Sequence, residues 1–218
     1  MKNLKNIGFF ADLPDKEIES LCKIAKLFRY PKDSFVVKKG DKTSSLYLIT
    51  KGVLKVRRVK DNGKEIIFSI LKQNDIFGEM AFLDNSPRSA DVLTLAPTEL
   101  VVIAKNDFER CMAENKMFML KIIKTLVKRL SDADTMIESL ALETVYARLV
   151  HLLLEHAEKE PETGKIVIKA GMTQTELASF IGASREMVSK IIKELTEGGF
   201  LVKKGKEIFI NKKLPTSW

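Results

Sequence analysis

The chain is poor in cysteine and histidine and has no long apolar run, and each scarcity excludes a class of protein. Its 218 residues include two cysteines, neither in a C-x-x-C pair, so a disulfide framework, a zinc knuckle and a cysteine-ligated cluster are all excluded. His151 and His156 lie five apart on a predicted helix and would point to different sides, so no metal site is predicted. The longest apolar run, Leu100 to Ala104, is too short for a membrane span or a signal sequence. We therefore expect a cytoplasmic chain without a membrane partner.

The composition predicts a folded chain with one large domain or two ordinary ones. It is 45% hydrophobic with a formal net charge of +8. Such a chain can bury a core, and the basic excess is compatible with an anionic partner, although a solvated basic surface explains it equally well. No nucleophile–base pair, Walker loop or pair of catalytic carboxylates stands out, so no catalytic residue and no enzyme is predicted.

Hydrophobic periodicity predicts a helix followed by several short strands. The helix is expected over residues 9–30 because its apolar residues recur with a 3.6-residue period. Strands are expected at 35–38, 46–50, 53–59, 64–71 and 93–104. The Asn62-Gly63 pair between two of them is a hairpin signal. Short strands at this spacing predict a small antiparallel barrel or jelly roll.

A long helix is predicted from Asp107, because no proline or glycine follows until Pro161. Its apolar residues alternate at spacings of three and four, as in a coiled-coil seam: Ile123, Leu126, Leu130, Ala133, Ile137 and Leu140. The stripe is narrow and has charged flanks, which favours a dimer seam over packing within one domain. A boundary is expected near residues 139–143, then a helix over 144–158, a polar loop over 158–164, further helices, and a hairpin of 200–202 with 208–210.

Residues 77–90 carry the first functional pattern, a candidate phosphate cradle. Gly78 exposes backbone N–H groups, and a helical turn after it would direct N–H donors at an anion. Arg88 can bind a phosphate with two parallel hydrogen bonds, and Ser89 adds a hydroxyl. Glu79 beside a phosphate suits a ribose hydroxyl. From the residues alone, a surface turn with an ion pair between Glu79 and Arg88 is an equal alternative.

The sequence Phe-Gly-Glu-x-Ala-x-Leu followed by Pro-Arg-Ser-Ala resembles the phosphate-binding cassette of cyclic-nucleotide-binding domains. The resemblance implies that a cyclic phosphate is held by the backbone of Gly78, Met80 and Ala81 and by the side chains of Arg88 and Ser89. It gives Glu79 the ribose 2′-hydroxyl. The implied effector is a cyclic nucleotide, cyclic AMP first and cyclic GMP second, with no required cofactor.

A second pattern near the end of the chain predicts a helix-turn-helix. Thr173 and Glu176 form a capping box, Gly182 suits a left-handed turn, and Ser184 can cap the next helix. A generic helical hairpin is the alternative. The candidate DNA contacts are Thr173, Ser184, Arg185, Glu186, Ser189 and Lys190, with Lys203 and Lys204 on a basic wing. A solvated hairpin is the competing interpretation of the wing.

The run Ser184-Arg185-Glu186-x-Val188 with Lys190 closely resembles the recognition helix of the Crp–Fnr family of bacterial transcription regulators. The resemblance implies an α+β fold. Its parts are an N-terminal antiparallel β jelly-roll cyclic-nucleotide-binding domain at 1–106, a long dimerisation helix with a hinge at 107–143, and a C-terminal winged helix-turn-helix at 144–218. It also implies an allosteric homodimer that binds a double-stranded pseudo-palindrome with TGTGA-like half-sites, and RNA polymerase as a further partner.

The base-reading half of the nucleotide site departs from the family pattern, in which a Thr-Ser pair on the long helix contacts the base. Alignment places Ala133 and Asp134 there, and a register shift of one residue would bring in Thr135. Asp134 can accept from an exocyclic amine or be a solvated carboxylate. Two alternatives therefore stay open. One is a constitutive DNA-binding regulator with a vestigial or repurposed anion site, and the other is a cyclic-nucleotide module acting on a protein partner.

Overall fold

The computed structural model describes Phe10, residues 14–114, 116–160, 166–168, 172–204 and 207–215. No helix within these ranges is long and apolar enough to cross a membrane. Contacts divide the chain into two compact units, one up to Leu130 and one from Ser131 onward. The predicted three-part division at 106/107 and 143/144 stays a prediction.

Two antiparallel sheets form the body of the first unit, which confirms the predicted jelly-roll class. The strands are β1 Lys26–Tyr30, β2 Phe35–Val37, β3 Leu46–Lys51, β4 Leu54–Val59, β5 Glu65–Leu71, β6 Ile76–Phe77, β7 Asp91–Thr94 and β8 Thr98–Ile103. Among the described residues, one sheet has the order β1-β8-β3-β6 and the other β2-β7-β4-β5. Apolar side chains from both, such as Ile49 and Leu100 from one and Leu54 and Val92 from the other, pack into one core. Burial of this shared face holds the two sheets together.

Helices pack against a second core of the first unit. They are α1 Asp15–Ile24, α2 Glu79–Leu83, α3 Lys105–Glu114 and the first part of α4 Lys116–Leu142. Phe82 of α2, Phe108 of α3 and Phe118 of α4 meet there, with the Phe82 and Phe108 rings edge to face at 4.4 Å between centroids. This packing places α2 and the first part of α4 on the same side of the sheet that contains β3 and β8.

Two predicted elements of the first unit were wrong in their extent. The helix expected over 9–30 ends at Ile24, because residues 26–30 pair with β8 and become β1. Of that stretch, residue 9 and residues 11–13 lie outside the described part. The strand expected over 93–104 is two strands, β7 and β8, on either side of Pro97. The long helix expected from Asp107 is preceded by helix from Lys105 and is present as α3 and α4.

The second unit contains helices over a small sheet. Its elements are the end of α4, then α5 Val145–Glu155, β9 Ala157–Lys159, β10 Ile166–Ile168, α6 Gln174–Ile181, α7 Arg185–Glu197, β11 Leu201–Lys204 and β12 Glu207–Ile210. The helix expected over 144–158 stops at Glu155, because residues 157–159 pair with β10 as β9. The predicted polar loop 158–164 therefore begins in a strand, and its residues 161–164 lie outside the described part. The predicted hairpin is present as β11 and β12.

Candidate functional sites

A glycine-dependent turn begins the first candidate site. The buried strand β6 ends at Phe77, and the next residue, Gly78, has φ +90° and lies at the N-cap of α2. A Cβ at this position would lie 2.5 Å from Nη1 of Arg88 and 2.7 Å from the carbonyl oxygen of Ser45. Met80 and Ala81 follow in the first turn of α2, where backbone N–H groups have no partner within the helix. The turn therefore needs glycine for its conformation and for its space.

The guanidinium of Arg88 is buried beside this turn, and Arg88 is only 4% exposed. It donates from Nε to Thr43 Oγ1 at 3.2 Å, from Nη1 to the Gly78 carbonyl at 2.8 Å and from Nη2 to the Ser45 carbonyl at 2.7 Å. These bonds use three of its five N–H donors and leave two.

Arg88 carries its charge at a buried position without a salt bridge from the described part of the chain. Among the described residues none forms an ion pair with Arg88. Burial lowers the pKa of Arg88, and the nearby Tyr47 and Glu79 oppose that shift in part. An arginine stays charged in proteins, so the site holds a positive charge with spare donors, which favours an anion.

Glu79 is fully buried, and only one of its carboxylate oxygens has a partner. Oε1 accepts from Nη1 of Arg129 on α4, and Nη2 of the same arginine donates to the Ile76 carbonyl. Oε2 has no hydrogen-bond partner among the described residues. A buried carboxylate oxygen is costly without a donor, so Oε2 can accept from an N–H or O–H group of a ligand. Glu79 pairs with Arg129, and both Glu79 and Arg88 are buried. The alternative of a surface turn with an ion pair between Glu79 and Arg88 is therefore wrong.

Sequence reasoning missed several residues that complete this site. Thr43, Ser45 and Tyr47 come from β3 and the segment before it, and the Tyr47 ring lies 5.5 Å from the Arg88 guanidinium carbon. Ser89 is exposed, and its carbonyl accepts from Nη2 of Arg58 at 2.7 Å. These partners lie tens of residues from the cassette, so no local sequence pattern marks them. We name the set from Gly78 to Ser89, together with Thr43, Ser45, Tyr47 and Arg129, the cradle.

The two weaker candidates for base contacts belong to the other unit. Asp134 and Thr135 are both exposed on α4 within the second unit. The Thr135 hydroxyl donates to the Ser131 carbonyl one turn earlier, at 3.1 Å. Because this bond uses the only O–H donor of Thr135, the hydroxyl can serve a further partner only as an acceptor.

The apolar stripe of α4 is exposed along most of its length. Leu130 and Ile137 are each 64% exposed, and Ile123, Ala133 and Leu140 are exposed as well. Leu126 differs, because it is half-buried against the core of the first unit. Large exposed apolar side chains in a row are unusual on a monomer surface.

The second candidate site is built by local capping. Thr173 caps α6 with the predicted capping box, since its hydroxyl accepts from the Glu176 N–H while the Glu176 carboxylate accepts from the Thr173 N–H. Gly182 ends α6 at φ +64°, and Ser184 caps α7 by accepting from the Met187 N–H at 3.2 Å. Leu177, Ala178, Ile181, Val188 and Ile191 are buried between the helices. The pair α6–α7 is therefore a capped helix-turn-helix.

The exposed side of α7 carries charged and polar groups. Arg185, Glu186 and Lys190 are exposed, whereas Ser189 is half-buried. The pKa of Glu186 is lowered, first by a hydrogen bond from its own backbone and then by one from the Ser184 hydroxyl. Its carboxylate therefore stays an acceptor at neutral pH, next to a guanidinium donor.

The predicted wing is the hairpin of β11 and β12. Its strands pair from Leu201 with Ile210 to Lys204 with Glu207. Lys203 is exposed, while the side chain of Lys204 lies outside the described part. The described strands thus present at least one basic side chain to solvent.

Family profiles match both units. The profile of the cyclic nucleotide-binding domain matches residues 27–115, and that of the Crp-like helix-turn-helix domain matches residues 147–213. The first match includes the whole cradle except Arg129, and the second includes α6, α7 and the wing.

Relatives match this chain over most of its length and most of theirs. The chain is 26% identical over 210 residues to the CRP-like cAMP-activated global transcriptional regulator of Mycobacterium tuberculosis, covering 95% of this chain and 94% of the relative. It is 29% identical over 199 residues to the cAMP-activated global transcriptional regulator CRP of Pasteurella multocida, covering 90% and 95%. Among solved structures, the c-di-GMP responsive global regulator CLP of Xanthomonas campestris aligns with a TM-score of 0.79 at 24% identity, over 92% of this chain and 100% of that one.

Proposed function

We propose that a bound cyclic nucleotide controls DNA binding by this chain, which belongs to the Crp–Fnr family of transcription regulators. Members of this family are transcription regulators and not enzymes. The observation that carries the proposal is the pairing of a buried arginine that has two spare donors with a buried carboxylate oxygen that lacks a partner. A cyclic nucleotide offers a phosphate anion to the first and a ribose hydroxyl to the second.

In the proposed complex, the phosphate lies against the first turn of α2. The spare donors of Arg88, the backbone N–H groups of Met80 and Ala81, and Ser89 would bind its oxygens. Glu79 Oε2 would accept from the ribose 2′-hydroxyl. Cyclic AMP is the first choice of effector because relatives are named as cAMP-activated regulators, and cyclic GMP is the second. No further cofactor is required.

We further propose that the protein acts as a homodimer through the exposed stripe of α4. A second copy of the same stripe would bury Leu130 and Ile137, which are otherwise in water. Ile123, Leu126, Ala133 and Leu140 complete the same spacing. Burial of these side chains by a partner helix is what makes a long, narrowly apolar helix stable.

The proposed DNA contacts follow from the exposed side of α7. Arg185 on its first turn would pair with guanine O6 and N7, and Glu186 would accept from cytosine N4. Ser189 and Lys190 would extend the contact. Thr173, Ser184, Lys203 and Lys204 would bind phosphates and set the register. A two-fold dimer then reads a pseudo-palindrome of TGTGA-like half-sites one helical turn apart, and RNA polymerase is the proposed further partner.

The link between Glu79 and Arg129 suggests how the ligand acts. It joins the cradle directly to α4 within the first unit. A ribose hydroxyl on the same carboxylate would change the charge and the hydrogen bonding around Arg129, and hence the restraint on α4. This is allostery only if the ligand binds the two states of the protein with different affinity.

Calorimetric titration of the full chain with cyclic AMP and cyclic GMP tests the nucleotide site. Arg88→Leu is expected to lose binding, because the phosphate would then be buried without its cation. Arg110→Leu is the matched control and is expected to bind like the wild type, because Arg110 is exposed on α3 and pairs with Asp107 in its own helix. The proposal is wrong if the wild type binds neither nucleotide, or if Arg88→Leu binds as tightly as the wild type.

A further inference from the structure

The cradle accounts for the phosphate and the ribose of a cyclic nucleotide but not for its base. On α4, Ala133 has no polar side-chain atom, and the Thr135 hydroxyl already donates within its helix. Two further side chains adjoin it: Arg58 on β4 donates to the Ser89 carbonyl of the cradle, and Phe68 on β5 lies against Arg58.

Arg58 is tied to the cassette at one edge. Its Nη2 donates to the carbonyl of Ser89 at 2.7 Å. Its Nε is buried, and the described part of the chain supplies no acceptor for it. No carboxylate among the described side chains forms an ion pair with Arg58 either. The guanidinium is therefore fixed next to the phosphate-binding residues while some of its donors are unused.

Phe68 is presented to Arg58 by an irregularity in the sheet. The register between β4 and β5 shifts there, with Val56 opposite Ser69 and Arg57 opposite Ile67, so Phe68 is an extra residue without a partner across the strands. A bulge of this kind re-aims a side chain and is frequent beside binding sites. The ring is 42% exposed, and the guanidinium carbon of Arg58 lies 5.4 Å from its centroid.

We infer that Arg58 and Phe68 form the base-side wall of the cradle and that Arg58 recognises guanine. This inference rests on the proposed function. An aromatic ring and a guanidinium plane both stack on a purine, whichever it is. Selectivity comes from the edge of the base: guanine offers two adjacent acceptors, O6 and N7, to an arginine fork. Adenine places an N6–H donor where one of these acceptors would be.

The wall does not exclude cyclic AMP. Stacking on Phe68, the phosphate contacts and the ribose contact are common to both nucleotides, so Arg58 adds affinity for cyclic GMP and removes no contact that cyclic AMP makes. The ratio of the two dissociation constants is the quantity that reports on Arg58.

The test is calorimetric titration of the full-length protein with cyclic AMP and cyclic GMP, in the wild type and in four variants. Arg58→Ala is expected to weaken cyclic GMP by about 5- to 150-fold and cyclic AMP far less. Arg58→Lys keeps the charge without the fork, and it is expected to lose most of the same guanine affinity. Phe68→Ala removes stacking and is expected to weaken both nucleotides alike. Lys60→Ala, which removes an exposed positive charge at the end of the same hairpin, is expected to change neither.

The outcomes separate the inference from the function on which it rests. If the wild type binds neither nucleotide, the proposed function fails and the inference with it. If the wild type binds and Arg58→Ala weakens both nucleotides equally or neither, the nucleotide site stands and the base-side assignment is wrong. Full guanine affinity in Arg58→Lys would show that charge alone acts there, which also overturns the inference.

Discussion

Substituting Gly78 with alanine should damage the cradle in two ways that can be separated. At φ +90° an alanine is strained, and its Cβ would lie 2.5 Å from Nη1 of Arg88. Gly63 is a matched control in the same unit, because it also has positive φ, +76°, but a Cβ there meets no atom within 4 Å. The control variant Gly63→Ala thus carries the strain without the clash.

The magnitudes follow from this comparison. Left-handed backbone costs an alanine about 1–2 kcal/mol, so Gly63→Ala should lower the free energy of unfolding by about that amount. Gly78→Ala adds overpacking against Arg88 and the Ser45 carbonyl, which costs about a further 1–3 kcal/mol. Because the clash displaces Arg88 from its bond with the Gly78 carbonyl, nucleotide affinity should fall by about 10- to 100-fold, the value of one hydrogen bond to a charged group.

Urea unfolding and calorimetric titration of both variants measure these two effects. Gly63→Ala is expected to keep wild-type nucleotide affinity, and Gly78→Ala to lose stability and affinity together. Wild-type affinity in Gly78→Ala would refute the reasoning, since the phosphate site would then not depend on the space beside Gly78. Equal losses of affinity in both variants would refute it as well, because strain remote from the cradle would explain them.

Three further predictions concern the ribose contact, the dimer and the DNA. The wild type should bind the 2′-deoxy analogue of cyclic AMP more weakly than cyclic AMP, and Glu79→Gln should reduce this difference in affinity. If calorimetry shows an unchanged difference, Glu79 does not contact the ribose. Leu130→Lys places a charge in the α4 stripe and should give monomers in sedimentation at micromolar concentration, whereas Lys124→Ala should stay dimeric; a dimeric Leu130→Lys would move the interface elsewhere. Arg185→Ala should weaken DNA binding by about 1–3 kcal/mol per half-site. In a binding-site selection it should also relax the preference for guanine at one position. Lys203→Ala should instead weaken all sequences alike and lower the salt slope by roughly one, and an unchanged motif in Arg185→Ala would contradict base reading by α7.

The helix-turn-helix was predictable because its determinants are local. The capping box of Thr173 and Glu176, the left-handed Gly182 and the Ser184 cap lie within a dozen residues and act through backbone hydrogen bonds that the sequence alone dictates. The resulting burial of Val188 follows from helical spacing. The turn at Gly78 was predictable for the same reason, because the neighbouring residues of the cassette mark its position.

The partners within the cradle were not predictable, because they meet only when the sheets fold. Thr43, Ser45 and Arg129 lie 45, 43 and 41 residues from Arg88, and no periodicity connects them. The bulge that turns Phe68 outward is likewise a property of strand pairing and not of its neighbours in sequence. Long-range pairing also explains the error in the first helix: Phe28 continues the 3.6-residue period of the preceding residues, but the pairing of residues 26–30 with β8 prevails.

The central claim is that a ligand in the cradle changes DNA affinity. It is tested by fluorescence anisotropy on a DNA site obtained by selection, with and without a saturating cyclic nucleotide. We expect the nucleotide to raise wild-type affinity by about 5- to 150-fold, the usual range of allosteric coupling. We also expect Arg88→Leu to bind the DNA with the unliganded affinity and not to respond. Equal wild-type affinity with and without either nucleotide would contradict the claim and would favour a constitutive DNA-binding regulator.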